Sequence, residues 1–433
     1  MLLATNNRIK SKNKTKLAIL KDLTRASKDL YNKALYTIRQ HFFENNEYLP
    51  YKEVYHLLKS SEEYKRLPSN AGQQTLRQVD NSFKSFFRLL KAKKEGKIKD
   101  DPSIPKYLDK EGHYKVIYTK IHLKVMDNGY IRLSLPKNIK ERYNVGYLYF
   151  KIPRHIINKE IKEVHILPYK PHYKISFVYS DGDRNYNHYQ TDDIMAIDFG
   201  IDNLATIITR YDKPLILDGK SLKSKNTYFN KRISVLQSSI MKGKSPKENK
   251  NGPLFKKLNI WQSRRQNYIK DYLHKTATKI INIAIEKGIK TIVVGYNKKW
   301  KQECNLGRKN NEKFLSIPHS QLLQYIKYKA IQHKIEVIET EESYTSKCDA
   351  LALEPIQKQE KYLGKRVKRG LFQSSIGKLI NADVNGALNI LRKSVACDSL
   401  IQEIAGRGLV FQPVRVYIHP YKPSHKGSPA YNL

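Results

Sequence analysis

Apolar positions in the first quarter of the chain recur every three or four residues, which is the spacing of amphipathic helices. In LAILKDLTRASKDLYNKALYTIRQHFFE this spacing places Leu20 and Leu23 on one face. In NAGQQTLRQVDNSFKSFFRLLKAKK it does the same for Leu76 and Val79. We therefore predict a helical domain over residues 16–98.

The polar face of the second predicted helix carries side chains long enough to reach into a nucleic-acid duplex. These are Gln73, Gln74, Arg77 and Lys84. Gln and Arg can both read base edges in the major groove. The alternative is an ordinary helical bundle whose polar face is only solvated.

The hydrophobic period shortens to two from Tyr114 to Val178. Alternating runs such as YKVIYTKIHLKVM, GYIRLSLP and YKISFVYS are separated by turn residues, which predicts short strands in a small barrel or an antiparallel sheet. Lysines alternate with aromatic residues along these runs. They fit a surface for a phosphate backbone or the solvated outer face of a sheet, and both interpretations remain open.

A second segment, from Ile194 to Ser394, alternates strands and helices and predicts an α/β domain. A polar stretch at 180–193 precedes it as a linker, and a tail rich in Pro, Ser and Lys follows from Ala396. We expect the end of this tail to be disordered.

Two acidic residues in the α/β segment point toward its interior. Asp198 lies inside the apolar strand of IMAIDFGIDNLATIIT, where a carboxylate is costly unless a partner or a metal compensates it. In NADVNGALNILRK, Asn381 can cap a helix that places Asp383 on the apolar face. Inward carboxylates on a strand–turn–strand and on a later helix describe the RNase H arrangement, in which acidic residues hold two divalent ions about 4 Å apart.

Charge and cysteine content narrow the class of protein further. Lys plus Arg number 81 against 40 Asp plus Glu, and the formal net charge of +41 favours a polyanionic partner such as nucleic acid. Three cysteines without any CxxC exclude a disulfide framework and a local zinc ribbon. No apolar run approaches the ~20 residues of a membrane span. We expect a soluble, intracellular protein with no membrane partner.

Four motifs of the second half together resemble the TnpB family of transposon-encoded, RNA-guided nucleases, which are related to type V CRISPR effectors. They are AIDFGIDNLATI, FLSIPHSQLLQYIKYKA, EESYTSKCDALALEP and RGLFQSSIGKLINADVNGALNILRK. The resemblance covers about 190–394 well and the N-terminal half more weakly.

The resemblance implies a multidomain α+β architecture. An oligonucleotide-binding-like wedge β-barrel at 1–15 and 99–185 would contain an inserted helical recognition domain at 16–98. A RuvC/RNase H-like nuclease domain at 190–395 and a partly disordered tail at 396–433 would follow. It also implies a monomeric protein that binds one guide RNA and cuts double-stranded target DNA beside a short motif, read by Gln73, Gln74 and Arg77 in our interpretation.

The family's catalytic metal site maps onto this chain with one gap. Asp198 matches the first RuvC carboxylate and Asp383 the third, but Gly295, at the end of the strand TIVVG, stands where the second is usually a Glu. The strand EVIET should lie beside TIVVG, about 4.8 Å away. A Glu at its end could therefore fill the corner, and we favour Glu342 over Glu341 because E-x-x-T-S is the form seen in family branches with a relocated Glu. This predicts a two-metal Mg²⁺ site.

The segment 347–379 stands where many family members carry a four-cysteine zinc ribbon. It keeps only Cys348, so we predict no zinc. Its basic run GKRVKRG, with Arg366 and Arg369, fits a lid or a contact to the substrate strand, or simply a solvated hairpin. Phosphate contacts near the scissile bond are predicted for Thr345, Ser346 and Lys347.

Two functional alternatives follow from the gap at Gly295. The chain is an active RNA-guided DNA endonuclease with a relocated glutamate, or it is a nuclease-inactive RNA-guided DNA-binding repressor. A third function, that of the transposase itself, lacks a catalytic tyrosine motif among the 30 tyrosines.

Overall fold

The structure, a computed structural model, forms two compact units, residues 1–184 and 185–433. Each unit contains its own hydrophobic cluster of buried residues. The residues that the structure describes are 2–11, 13–98, 100–169, 172–180, 194–242, 252–297, 317–395 and 398–418.

Helices follow the first strand of unit one, as the apolar periodicity predicts. Leu20, Leu23, Leu76 and Val79 are almost completely buried and belong to one hydrophobic cluster. The side chain of Asn13 caps the start of the first helix, because Asn13 Oδ1 accepts a hydrogen bond from the backbone N–H of Lys16 at 2.9 Å. The helices are α1 (Lys14–Asn45), α2 (Tyr51–Leu58), α3 (Glu62–Lys65) and α4 (Ser69–Lys94).

The β-rich part of unit one consists of two antiparallel sheets. One has the strand order β1-β7-β6-β2 and the other β3-β4-β5. In β5 the buried Leu148 and Phe150 alternate with the exposed Tyr149 and Lys151, so the tyrosine–lysine face is solvent-accessible. The first sheet contains β1 (Leu2–Arg8), β2 (Val116–Thr119), β6 (Glu160–Tyr169) and β7 (His172–Ser180). The second contains β3 (Leu123–Val125), β4 (Tyr130–Ser134) and β5 (Tyr147–Lys151), and α5 (Lys137–Tyr143) lies between the last two.

A six-stranded mixed sheet with the order β12-β11-β8-β9-β10-β16 is the centre of unit two. The strands β8, β11 and β12 run parallel, while β9 is antiparallel to both of its neighbours. The predicted pairing of EVIET with TIVVG is confirmed, because Gly295 lies opposite Thr340. The strands are β8 (Ile194–Phe199), β9 (Asn203–Ile208), β10 (Leu215–Asp218), β11 (Thr291–Gly295), β12 (Glu336–Thr340) and β16 (Val414–Val416).

Helices and a small second sheet complete unit two. The segment predicted as a basic insert forms a three-stranded antiparallel sheet, β13 (Lys365–Lys368), β14 (Leu371–Gln373) and β15 (Leu379–Asn381). The helices are α6 (Lys220–Met241), α7 (Pro253–Glu286), α8 (His319–Ile331), α9 (Ala382–Val395) and α10 (Asp398–Gly406).

Part of the segment assigned to the C-terminal tail is folded. Residues 398–406 form α10, and 414–416 add the parallel edge strand β16 to the central sheet. The end of the tail, 419–433, lies outside the described residues. Among the described helices, none combines the length and the apolar character that a membrane span requires.

Candidate active site

The Asp198 carboxylate projects from the centre of the main sheet in unit two. Its strand neighbours Ile197 and Phe199 are buried, and Asp198 lies opposite Thr206 of β9. The helix α9 approaches this carboxylate closely at Gly386, where a Cβ atom would lie 2.9 Å from Asp198 Oδ2. A glycine at this position therefore leaves room for the carboxylate between strand and helix.

Asp383 lies in the first turn of α9. As predicted, Asn381 caps this helix, since its Oδ1 accepts the backbone N–H of Asp383 at 3.0 Å and of Val384 at 3.3 Å. The predicted apolar face is also confirmed, because Ala387 and Ile390 are fully buried. The Asp383 carboxylate accepts a hydrogen bond from Asn203 Nδ2 at 2.5 Å, which connects α9 to the start of β9.

The corner beside Gly295 is occupied by the side chain of Glu342. A Cβ atom on Gly295 would lie 2.8 Å from Glu342 Cγ, 2.9 Å from its Oε1 and 2.4 Å from Ile390 Cδ1. These distances are shorter than nonbonded carbon contacts allow, so a side chain at 295 and the present Glu342 side chain exclude each other. The next strand of the sheet thus delivers a carboxylate into the space that a residue at 295 would fill.

Glu341, the alternative to Glu342, points away from this corner. Its side chain is 62% exposed, accepts a hydrogen bond from Ser343 Oγ at 2.6 Å and lies 3.9 Å from Lys393 Nζ. An exposed pair of this kind contributes little to stability. Of the two adjacent glutamates, only Glu342 faces Gly295 and Ile390.

The carboxylates of the site repel one another in a poorly solvated environment. Burial raises the pKa of Asp198 well above its ordinary range, and the nearby Glu342 and Asp383 carboxylates raise this pKa further. The positive charge of Arg366 acts in the opposite direction without cancelling these effects. Burial also raises the pKa of Glu342 from 4.5 to about 7. Such shifts are typical of functional sites, where charge is held in place for chemistry.

These residues suit divalent cations. Glu342 Oε1 is buried without a hydrogen-bond partner among the described residues, and hard cations such as Mg²⁺ prefer carboxylate oxygen ligands. A bound cation would offset the repulsion around Asp198. Within the described ranges, no three His, Cys, Asp or Glu side chains are already arranged to hold an ion. Closing a coordination sphere would therefore require rotation of the carboxylate side chains.

The predicted phosphate contacts differ in their surroundings. Ser346 and Lys347 are exposed. Thr345, in contrast, is 4% exposed, and its hydroxyl donates to the Glu342 carbonyl at 2.9 Å. Its carbonyl accepts from Asn389 Nδ2 at 2.9 Å. The polar groups of Thr345 thus hold the turn that carries Glu342, and its contact with phosphate stays a prediction.

The basic hairpin formed by β13 and β14 reaches the turn next to Asp198. Arg369 forms an ion pair with Asp202, which also pairs with Lys223 at 2.6 Å. Arg366 is exposed on the same hairpin and close enough to influence Asp198. Both arginines thus lie near the candidate site, where a phosphate could bind them.

Hydrogen bonds hold the segment around Cys348 together. The Cys348 thiol is buried and lies 3.4 Å from the Pro355 carbonyl. The buried Asp349 carboxylate accepts from Ser374 Oγ and from the Ser375 backbone N–H, both at 2.7 Å. This network connects the turn after Glu342 to the small sheet of the insert. The absence of zinc stays a prediction.

The remaining predicted contacts lie on α4 in unit one. Arg77 is exposed and stacks its guanidinium over the Tyr51 ring at 4.3 Å. Lys84 pairs with Asp80 at 2.7 Å. Gln73 and Gln74 are partly exposed. All four side chains can be reached from solvent, and their contact with DNA stays a prediction.

Two polar residues of the site were not among the sequence candidates. Asn203 donates a hydrogen bond from its Nδ2 to the Asp383 carboxylate. Arg415 donates to Asn203 Oδ1 at 2.9 Å and to Asp218 Oδ1 at 3.1 Å. Nothing in the local sequence around Arg415 indicates this contact, because it depends on the pairing of β16 with β10.

Comparisons with known proteins agree with this architecture. Residues 176–301 match a family model described as OrfB_IS605, probable transposase, and residues 319–390 match the Cas12f1-like TNB domain. TnpB-like protein ORF457 of Acidianus two-tailed virus is 26% identical over 418 residues, covering 87% of this chain and 83% of that protein. A Cas12f1 chain solved in complex with sgRNA and target DNA is 15% identical and has a TM-score of 0.56, covering 87% and 83% of the two chains.

The fold is therefore a mixed α+β, multidomain architecture of the Cas12f type. The two domain matches and the viral relative point more narrowly to similarity with the TnpB family.

Proposed function

We propose that this chain is an RNA-guided DNA endonuclease whose RuvC-like site uses Asp198, Glu342 and Asp383. The observation that carries the proposal is the Glu342 side chain, which occupies the space in front of Gly295 and has a buried carboxylate oxygen with no hydrogen-bond partner among the described residues. The order of the central sheet in unit two supports an RNase H-like domain, and the helical and β-rich parts of unit one fit a recognition domain and a wedge barrel.

In this proposal the three carboxylates would hold two Mg²⁺ ions. When bound, these ions would lower the pKa of a water nucleophile and stabilise the charge on the attacked phosphate. Asp198 is fixed on the rigid central strand, while Asp383 is oriented by its helix and by Asn203. Glu342 is held by the turn that Thr345 and Asn389 stabilise. Arg366 and Arg369 would contact the phosphates of the strand to be cut.

The partners we propose are one guide RNA, bound by a single protein chain, and double-stranded target DNA. A Cas12f1 relative was solved with an sgRNA and target DNA, and the net charge of +41 suits two polyanions. Base pairing with the guide would read the target, and the protein would read only the adjacent motif and the backbone. The complex would act in the prokaryotic cytoplasm at the nucleoid.

Cleavage of motif-flanked duplex DNA in Mg²⁺ tests this function directly. The protein should be purified with RNA from its native locus, and cleavage and target binding measured separately. We expect alanine at Asp198, Glu342 or Asp383 to abolish cutting and preserve binding, whereas Glu341→Ala, the exposed neighbour, should cut like the wild type. Activity retained by Glu342→Ala and lost by Glu341→Ala would move the assignment by one residue.

Substitutions at both 295 and 342 distinguish a site whose glutamate has moved to 342 from a site that has lost it. Gly295→Glu in the Glu342→Ala background returns a carboxylate to the corner from strand β11, in the space that Glu342 vacates, and requires the Ile390 Cδ1 atom, 2.4 Å from the new Cβ, to turn aside. We expect this double variant to recover part of the cleavage that Glu342→Ala loses, and Gly295→Gln in the same background to recover none. If the wild-type complex binds its target but never cuts it, the repressor function replaces this proposal.

A further inference from the structure

A chain of hydrogen bonds extends from the C-terminal strand β16 to the Asp383 carboxylate. Arg415 Nη2 donates to Asn203 Oδ1 at 2.9 Å, and Asn203 Nδ2 donates to Asp383 Oδ2 at 2.5 Å. The other nitrogen, Arg415 Nη1, donates to Asp218 Oδ1 at 3.1 Å. Asp218 is nearly fully buried and also accepts the backbone N–H of Ser221.

The chemistry of the two end groups fixes the orientation of the Asn203 amide. A guanidinium only donates and an ionised carboxylate only accepts, so the amide oxygen must face Arg415 and the amide nitrogen must face Asp383. Without Arg415 the amide could turn over and present an oxygen to the carboxylate, which would repel it. Arg415 therefore determines that Asn203 donates.

The strand pairing makes the position of Arg415 rigid. β16 runs parallel to β10 with Arg415 opposite Ile216, and β10 pairs with β9, where Asp218 lies opposite Asn203. The guanidinium thus spans the end of β10 to reach both residues. Asp218 balances its charge, so the contribution of Arg415 to the site is orientation of Asn203 rather than added positive charge.

We propose that Arg415 is a positioning residue for the metal-binding carboxylate Asp383 and acts through Asn203. The inference rests on the proposed function, because it assigns to Asp383 the role of a metal ligand. It makes the strand 414–416 part of the nuclease site. Groups that orient a metal ligand in this way typically change metal affinity or activity about 10–100-fold when removed.

The test measures metal dependence in the full protein–guide RNA complex. The variants are Arg415→Met, Asn203→Ala and the double variant, with Arg415→Lys as the conservative change and Arg407→Met as the control. Arg407 is an exposed arginine of the same C-terminal segment, paired with Glu403 within α10 and its following turn. Single-turnover cleavage against Mg²⁺ concentration is one readout, and Mn²⁺ binding to the complex by electron paramagnetic resonance is the second.

We expect Arg415→Met and Asn203→Ala each to raise the half-saturating metal concentration about tenfold. The double variant should be no worse than the poorer single variant, because both residues act in one chain of contacts. The half-saturating metal concentration of Arg415→Lys should lie between those of the wild type and Arg415→Met, since one ammonium cannot reproduce the contacts of two guanidinium nitrogens. Arg407→Met should behave like the wild type.

Three results would overturn this relay, in which Arg415 acts on Asp383 through Asn203. The first is unchanged metal binding in both single variants, and the second is effects that multiply in the double variant. The third is an equal loss of metal affinity in the control Arg407→Met. Asn203→Ala leaves the Arg415–Asp218 pair intact, so it tests the relay even where Arg415→Met folds poorly. A wild-type complex that binds Mn²⁺ but does not cut would refute the nuclease function. Comparing its Mn²⁺ affinity with the affinities of the variants would still test the relay.

Discussion

Replacing Glu342 by glutamine should stabilise the metal-free protein at high pH. The pKa of Glu342 is raised by burial from 4.5 to about 7 in the folded state, so the folded protein binds the proton more tightly than the unfolded chain does. The stability of the wild type consequently falls as the pH rises from about 4.5 to 7 and stays low above that. At about 1.4 kcal/mol per pH unit the loss is about 3 kcal/mol, and glutamine, which does not ionise, avoids it.

Thermal unfolding in a chelator at pH 5 and at pH 8 measures this difference. For a unit of this size about 3 kcal/mol corresponds to roughly 5–10 °C, so Glu342→Gln should melt that much higher than the wild type at pH 8 and close to it at pH 5. Adding Mg²⁺ at pH 8 should stabilise the wild type more than the variant, because the ion binds the folded carboxylates. The exposed control Glu341→Gln should change neither value. If Glu342→Gln melted below the wild type at pH 8, the conclusion that burial opposes the ionisation of Glu342 would be refuted.

Two further predictions concern the surroundings of the site. Gly386→Ala places a Cβ atom 2.9 Å from Asp198 Oδ2 and should displace this carboxylate, which lowers the single-turnover cleavage rate on the order of 100-fold. The control Gly406→Ala, whose Cβ has no described atom within 4 Å, should leave the rate unchanged. Equal rates in the two variants would contradict the close approach of α9 to Asp198. Asp349→Ala leaves the Ser375 N–H and Ser374 hydroxyl without their acceptor and should lower the free energy of unfolding by about 3 kcal/mol in urea titrations, with the exposed Glu360→Ala unchanged as the control. A stable Asp349→Ala protein would contradict the view that this carboxylate holds the insert together.

The inward carboxylates could be predicted from sequence because their signals are local. An acidic residue inside an apolar strand and another on the apolar face of a helix each stand out within a dozen residues. The pairing of EVIET with TIVVG followed from the regular alternation of strands and helices. The location of Glu342 could then be inferred from one strand spacing.

Contacts that depend on distant pairing could not be predicted in this way. Arg415 reaches Asn203 only because β16 joins the edge of the sheet, and a three-residue strand carries almost no periodic signal. Helix α6 is rich in Lys and Ser and buries only a narrow apolar stripe of Leu222, Phe229, Leu236 and Ile240, so its sequence signal is weak. The hydrogen bond from the Thr345 hydroxyl to the Glu342 carbonyl likewise depends on the turn and has no signal in the sequence.

The glycine at 295 and the glutamate at 342 are best understood as one arrangement. The Glu342 side chain fits only because 295 has no Cβ, so a residue of any size at 295 would force this carboxylate out. The resulting cluster is costly for an apo protein, since Asp198 and Glu342 are both held in surroundings that oppose their ionisation. A protein that only binds DNA gains nothing from that cost, whereas in the proposed nuclease bound cations would offset it. The energetic penalty is therefore consistent with the proposed metal site, whose glutamate lies in the turn after the neighbouring strand.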